Sequence, residues 1–229
     1  MRRYWILLEL FVCEYVVFRN TSSLFSDYAT KVPQAGYGFP QYFASAFFLL
    51  LFSWLFLDDF LRNEEKKIPD IEKVEHVSQW LLQAGIWSVI SVSILDYFVF
   101  RWHKAAYIAP WLSVIGLILF GIAIYLHLMA GKILKPSYTD AIIIFKKQAL
   151  ITKNAYELVR HPMYASLTLM MFATTLIFES IIGFVLFSCL FLPSLFFRIY
   201  KEEYLLKEHF GKTYENYVKQ TKLFVKNVI

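Results

Sequence analysis

The sequence has few charged residues and few cysteines for its length. Asp, Glu, Lys and Arg make up 18% of its 229 residues, whereas soluble domains usually contain about a quarter. Both cysteines, Cys13 and Cys189, lie inside apolar runs, where a thiol behaves as a small hydrophobic side chain and reports no redox compartment. The five histidines are scattered without metal-ligand spacing. The sequence therefore provides no disulfide framework and no support for a metal centre.

Glycine is also sparse, and its placement excludes a soluble-type nucleotide fold. Gly116 and Gly121 lie within an apolar run, and no glycine-rich fingerprint follows a predicted strand. No fixed-period repeat or low-complexity tract interrupts the chain. The simplest division is into membrane helices at 1–130 and a C-terminal region with a helical hairpin and tail at 131–229.

Apolar residues are in excess, because 58% of the chain is hydrophobic and 19% is aromatic. Runs near bilayer-spanning length of about 20 residues recur at Gln41–Leu57, Trp80–Phe100, Tyr107–Ala130 and Ala165–Phe197. The last run is too long for one span, and Glu179, Ser180 and Gly183 near its middle predict a helical hairpin. We therefore predict an all-α integral membrane protein with about four transmembrane helices, a C-terminal helical hairpin and a cytosolic helical cap.

Two polar features complete this organisation. The first apolar run, Tyr4–Phe18, is short and contains Glu9 and Glu14, so it either spans the bilayer with buried carboxylates or lies in the interface as an amphipathic helix. Glu9 and the lack of a small-residue cleavage site argue against a removed signal peptide. The segment 62–78 mixes charges of both signs closely and is interpreted as a solvated connecting loop.

The distribution of basic residues predicts the orientation. With the N-terminus in the cytosol and four spans before the hairpin, nineteen of the 23 Lys and Arg residues fall on the cytosolic side. The other side retains Arg19, Lys31, Arg101 and Lys104. The net charge of +5 then reflects topology and attraction to membrane lipids rather than nucleic-acid binding. The expected location is the plasma membrane of a prokaryote or the endoplasmic reticulum of a eukaryote, with the site facing the cytosol.

Polar side chains concentrate at the two ends of the predicted hairpin. Before it lie Arg160, His161 and Tyr164, and after it lie Arg198, Glu202 and Glu203. Pro162 is typical of the first residue of a helix, which places His161 at the helix entrance. Arg198 and Glu202 share a helix face. Each residue has a plain structural interpretation as an anchor or surface ion pair, but bilayer anchoring does not require all of them at one hairpin mouth. Together they predict a functional site.

Three ordered motifs in the C-terminal part resemble a known superfamily. They are Ala149–Thr152 (ALIT), Tyr156–Tyr164 (YELVRHPMY) and Glu202-Glu203 followed by 210–217 (FGKTYENY). In this order they resemble the isoprenylcysteine carboxyl methyltransferase and phospholipid methyltransferase superfamily. Asn154-Ala155 replaces the Gly-Pro that often precedes the first motif tyrosine, and the usual C-terminal proline is missing. The resemblance therefore leaves the acceptor open.

The resemblance implies binding of S-adenosylmethionine at the hairpin ends and tail. It assigns cofactor contacts to His161, Tyr164, Glu203, Tyr156, Leu150 and Arg160, and catalysis to Arg198 and Glu202. Carboxylates suit the hydroxyls or ammonium of this cofactor, and imidazole or phenol donors suit its carboxylate. The implied partner is a lipophilic small molecule, lipid or prenylated substrate that accepts the methyl group.

Two other functions compete with methyl transfer. A membrane sterol-type reductase using NADPH looks similar in this region, but its usual Asn before the motif tyrosine is Met163 here. A non-enzymatic lipid-binding or transport protein is suggested by ionisable residues in apolar runs, namely Glu9, Glu14, Asp96, His127 and Glu179. For Asp96 and His127 we favour packing inside the bundle with hydrogen-bonded partners, and no paired pattern of broken helices indicates transport.

Overall fold

The computed structural model describes residues 39–63, 71–97, 111–134, 138–139, 141–146 and 149–224. Several predictions concern residues outside these ranges. They are the predictions for Tyr4–Phe18, for the basic residues before and after it up to Lys31, and for Arg101 and Lys104. From Phe43 onward the described residues form one compact unit. The division at residue 130 stays a prediction.

The described chain is mostly helical, as the sequence predicts. In order, its elements are α1 (Phe39–Asn63), β1 (Ile71–Glu75), α2 (Val77–Leu95), α3 (Trp111–Leu134), β2 (Ile142–Phe145), α4 (Ala155–Leu158), α5 (Pro162–Ile177), α6 (Ile181–Leu186), a π-helical stretch (Phe187–Phe191), α7 (Leu192–Phe210) and α8 (Lys212–Gln220). Among the described residues, α2, α3 and the continuous helix Ile181–Phe210 are long and apolar enough to cross a membrane. The count of four spans before the hairpin stays a prediction.

The core forms where α3 packs along α5. Phe120 of α3, Met170 of α5 and Phe47 of α1 are completely buried, and the rings of Phe47 and Phe120 lie 5.1 Å apart. Gly116 permits the close approach of the two helices, because a Cβ atom there would lie 2.8 Å from the backbone nitrogen of Ile177. This tight contact fixes the C-terminal end of α5 against α3.

The predicted hairpin forms between α5 and the helix that begins at Ile181. The chain reverses at Phe178–Ser180, where Glu179 has a positive φ of 48°, and the Ser180 hydroxyl accepts a hydrogen bond of 2.9 Å from the Gly183 backbone N–H. A serine at this position caps the new helix. The second limb runs through the π-helical stretch into α7, so its far end returns to the start of α5.

A small antiparallel sheet corrects two expectations. Ile71–Glu75 pairs with Ile142–Phe145, so the fold is not purely helical, and the predicted loop at 62–78 is wrong for its last part. β1 mixes apolar and charged residues whereas β2 is wholly apolar, and the pairing satisfies their backbone groups. Lys73 of β1 also forms an ion pair with Glu208 of α7. The sheet thus lies beside the polar end of the hairpin.

The chain turns sharply after α7 to form a helical cap. Gly211 has φ 54° and ψ −128°, a conformation that strongly favours glycine. Its N–H donates to the Lys207 carbonyl over 2.9 Å, and its own carbonyl accepts from the Tyr214 N–H over 3.1 Å. Tyr214 and Tyr217 are buried, so α8 packs its aromatic face inward. The cytosolic position of this helix stays a prediction.

Asp96 and His127 have hydrogen-bonded partners within the bundle, which confirms the preferred interpretation of both. Asp96 accepts a 2.5 Å hydrogen bond from the Ser180 hydroxyl. His127 lies 3.1 Å from both the Ser166 and Tyr138 hydroxyls, and Tyr138 donates to Asp58. Buried polar groups are costly unless paired, so these networks account for two ionisable residues without a transport function.

Candidate active site

The two limbs of the hairpin bring the predicted site residues together. Pro162 is the first residue of α5 and His161 precedes it, as the sequence predicts. Proline suits this position because its missing N–H would have no helical partner. On the other limb, α7 carries Arg198, Glu202 and Glu203 to the same end of the bundle.

Glu203 accepts hydrogen bonds from two residues of the Arg-His-Pro motif. Its Oε1 lies 2.8 Å from Arg160 Nε and 3.2 Å from His161 Nε2. The His161 side chain is 5% exposed and that of Glu203 is 27% exposed. The carboxylate is therefore held at the cluster edge with one face still open to solvent or a ligand.

Tyr164 joins the two residues predicted to be catalytic. Its hydroxyl donates to Glu202 Oε2 over 2.5 Å and accepts from Arg198 Nε over 2.9 Å. The Tyr164 ring also stacks on His161, with centroids 5.4 Å apart. Arg198 is buried, so these bonds help to satisfy a guanidinium that has left water. The sequence places Arg198 and Glu202 on one face of a helix, and Tyr164, from the opposite limb of the hairpin, links the two.

Arg160 also fastens the C-terminal tail to the site, a role that the sequence did not reveal. Its Nη1 donates to the Thr221 carbonyl over 2.8 Å. Its backbone N–H donates to the Lys222 carbonyl over 2.7 Å, within a parallel bridge between Val159 and Lys222. The guanidinium links tail and Glu203, so loss of either contact is expected to disturb the other.

Tyr156 and Leu150 lie on the chain segment that leads to the cluster. Tyr156 is buried, and its carbonyl accepts a 2.5 Å hydrogen bond from the Tyr217 hydroxyl. Burial, and then the nearby Glu202 carboxylate, raise the pKa of Tyr156 above its ordinary value, so its phenol stays neutral. Leu150 is partly buried in the irregular segment before α4, and its contact with a cofactor stays a prediction.

Glu75 is a further acidic residue near the cluster that sequence reasoning missed. Burial raises its pKa, but hydrogen bonds from Ser78 and the charge of Arg198 outweigh this effect, so the pKa of Glu75 lies below its ordinary value. The Ser78 backbone N–H donates to it over 2.9 Å. No local signal links Glu75 with Arg198, because the pairing of β1 with β2 positions it.

The cluster combines both kinds of hydrogen-bonding group in a partly dehydrated setting. Glu202 and Glu203 offer carboxylate oxygens, which accept, whereas Tyr164, Arg160 and Arg198 carry donors. Such a set can bind a ligand that has hydroxyl or ammonium groups at one end and an anionic group at the other. The fold and the cluster define a helical membrane protein with a group of polar side chains, a candidate ligand site, at the mouth of a hairpin.

Two comparisons with known proteins found a match. Residues 111–213 match the phospholipid methyltransferase family model. The fold matches a solved structure of the eukaryotic intramembrane Ras methyltransferase, an isoprenylcysteine carboxyl methyltransferase, with a TM-score of 0.54 and 21% sequence identity. This match covers 81% of our chain but 65% of the other, slightly less than two thirds. No curated protein sequence matches the chain significantly. These matches support the superfamily resemblance predicted from the motifs.

Proposed function

We propose that this protein is an integral membrane enzyme that transfers the methyl group of S-adenosylmethionine to a lipophilic acceptor. The observation that carries the proposal is the convergence of Glu202, Glu203, His161, Tyr164 and Arg198 at one site, inside the segment matched by the methyltransferase family model. The acceptor class follows from the position of this site at the end of apolar helices.

The residues present fit the cofactor by their chemistry. S-adenosylmethionine supplies a methyl group activated by a sulfonium centre. Glu203 retains an open carboxylate face for ribose hydroxyls or an ammonium group, and the rings of His161 and Tyr164 form a stacked apolar wall beside it. Tyr156, Leu150 and Arg160 extend the same pocket in our proposal. Arg160 acts there mainly by holding Glu203 and the tail.

We assign positioning of the acceptor to Arg198 and Glu202. A guanidinium can orient an anionic group through paired hydrogen bonds, and Tyr164 fixes Arg198 relative to Glu202. A carboxylate acceptor is already ionised at neutral pH, so its methylation needs alignment and exclusion of water rather than a base. An amine acceptor would first lose a proton, which Glu202 or His161 would accept.

A lipophilic acceptor can reach this site from the bilayer along α7. Phe196, Phe197 and Tyr200 are exposed on the helix that buries Arg198. One face of α7 therefore contacts lipid while the other carries the polar cluster. We propose that the acceptor inserts its polar end between these faces, with the membrane supplying the lipophilic substrate and the cytosol supplying the cofactor.

Calorimetric binding of S-adenosylmethionine and S-adenosylhomocysteine to detergent-purified protein tests the proposal. We expect binding by the wild-type chain and at least a tenfold loss in His161→Ala and Glu203→Gln, because each removes a charge-assisted contact. Glu208→Gln is the matched control. It removes the same charge from the same helix, where Glu208 pairs with Lys73 instead, and should bind as the wild type does.

Two results would contradict the proposal. Absence of S-adenosylhomocysteine binding in lipid nanodiscs, together with binding of a nicotinamide dinucleotide phosphate, would favour the reductase. Equal loss of affinity in Glu208→Gln and Glu203→Gln would mean that general surface charge, rather than the cluster, controls binding.

A further inference from the structure

Tyr214 in the cap buries a hydroxyl that the fold does not use. Its side chain is 3% exposed, and its hydroxyl oxygen has no hydrogen-bond partner among the described residues. A buried hydroxyl without a partner destabilises the folded state. Phenylalanine would fill the same volume without that cost, so the hydroxyl indicates an interaction with a group that is not part of the chain.

The other polar groups that attach the cap are already engaged. The Tyr217 hydroxyl donates to the Tyr156 carbonyl, and Arg160 donates to the Thr221 carbonyl and to Glu203. The rings of Tyr214 and Tyr217 lie 6.1 Å apart in a tilted arrangement, yet their hydroxyls differ in function. Tyr217 secures α8 to the chain, whereas Tyr214 leaves a donor available.

The surroundings of Tyr214 limit what this donor can bind. Burial, followed by the charges of Glu203 and Glu202, raises the pKa of Tyr214 far above its ordinary value. Its phenol therefore remains protonated. Arg160 links the same helix to Glu203, because its Nη1 lies 3.4 Å from the Val218 carbonyl while its Nε donates to Glu203. A ligand group placed there must donate to a carboxylate and accept from the phenol.

Among the groups of the cofactor, the ribose diol meets both requirements. Each hydroxyl has one donor and two acceptor positions. An ammonium group donates but cannot accept, and a carboxylate accepts but would be repelled by Glu202 and Glu203. A diol can donate to Glu203 while it accepts from Tyr214.

We propose that Tyr214 is a cofactor-binding residue whose hydroxyl recognises the ribose diol together with Glu203. This inference rests on the proposed function, since it needs an adenosyl cofactor in the pocket. It assigns α8 a direct part in the site rather than only a covering role.

The test compares Tyr214→Phe with wild-type protein by calorimetry and thermal unfolding. We expect Tyr214→Phe to weaken S-adenosylhomocysteine binding about fivefold to tenfold, the usual effect of one neutral hydrogen bond. The melting temperature of the ligand-free variant should stay equal or rise, because no bond within the described fold is lost. Tyr217→Phe is the contrasting variant, which should lower the melting temperature because it breaks the bond to Tyr156.

Analogues of S-adenosylhomocysteine that lack the ribose 2′ or 3′ hydroxyl identify the atom recognised. Wild-type protein should bind at least one of them more weakly, and Tyr214→Phe should show no further loss with that analogue. The inference would be overturned if Tyr214→Phe bound the full ligand as tightly as wild-type protein does. It would also be overturned if Tyr214→Phe lost the same factor of affinity for both deoxy analogues as for the full ligand. If wild-type protein binds no adenosyl ligand at all, the proposed function itself fails, and this result is distinguishable from the others.

Discussion

At the scale of single residues, the hydroxyl of Tyr164 provides a direct test of catalysis. It bridges Arg198 and Glu202, so Tyr164→Phe removes both bonds while the aromatic ring stays. We expect methyl incorporation from radiolabelled S-adenosylmethionine into the lipid extract of membranes to fall by about tenfold or more, since bonds to charged groups contribute about 1.5–3 kcal/mol each.

Tyr204→Phe is the control for this experiment. Tyr204 lies on the same helix, but its side chain is exposed, so loss of its hydroxyl should leave incorporation unchanged. Full activity in Tyr164→Phe would show that Arg198 and Glu202 need no bridge, and that the residue acts through its ring alone.

The site residues were predictable from sequence where a local rule fixed their position. Pro162 marked the helix start, and the spacing of Arg198 and Glu202 marked a shared face. The roles of Tyr214 and of the tail contact of Arg160 were not predictable from sequence, because both depend on how α8 folds back after Gly211.

Asn154 is a further residue whose conformation follows a local rule. It adopts φ 58° where related sequences often have glycine, and asparagine tolerates positive φ better than most residues.

At the scale of elements, the packing of α3 against α5 depends on Gly116 and not on Gly121 of the same helix. A Cβ atom at Gly116 would lie 2.9 Å from the Ala173 carbonyl oxygen, whereas one at Gly121 meets nothing within 4 Å. We expect Gly116→Ala to destabilise the protein by about 1–3 kcal/mol through overpacking, and Gly121→Ala to be neutral or stabilising because alanine favours the helix.

Thermal unfolding of both variants in the same detergent measures this difference. Equal melting temperatures would mean that the two helices can separate without cost, which would contradict the tight contact seen in the fold.

Helices were easier to predict than the small sheet, and the reason is physical. Bilayer-length apolar runs and the polar break at Glu179 and Ser180 are local signals. Strand β1 contains three charged residues in five and does not alternate, and its partner β2 lies far along the chain. The backbone bonds that make Ile71–Glu75 a strand exist only after the chain has folded, so a mixed-charge segment was interpreted as a loop.

At the scale of the whole molecule, the proposed reaction requires the hairpin mouth to face the compartment that supplies the cofactor. The charge count places the cap and nineteen of the 23 basic residues in the cytosol. Lys219 is exposed on α8 and reports the side of the cap. In a chain with Cys13→Ser and Cys189→Ser, we expect Lys219→Cys to react with a membrane-impermeant maleimide in inverted vesicles and not in right-side-out vesicles.

Lys104→Cys in the same background supplies the opposite marker, because the charge count assigns Lys104 to the other side of the membrane. It should react in right-side-out vesicles. Labelling of both positions from one side would contradict the predicted number of crossings between them, and exchange of the two patterns would place the cap outside the cytosol. The second result would separate the cluster from cytosolic S-adenosylmethionine, so the orientation of the molecule tests the same proposal as the chemistry of Glu203.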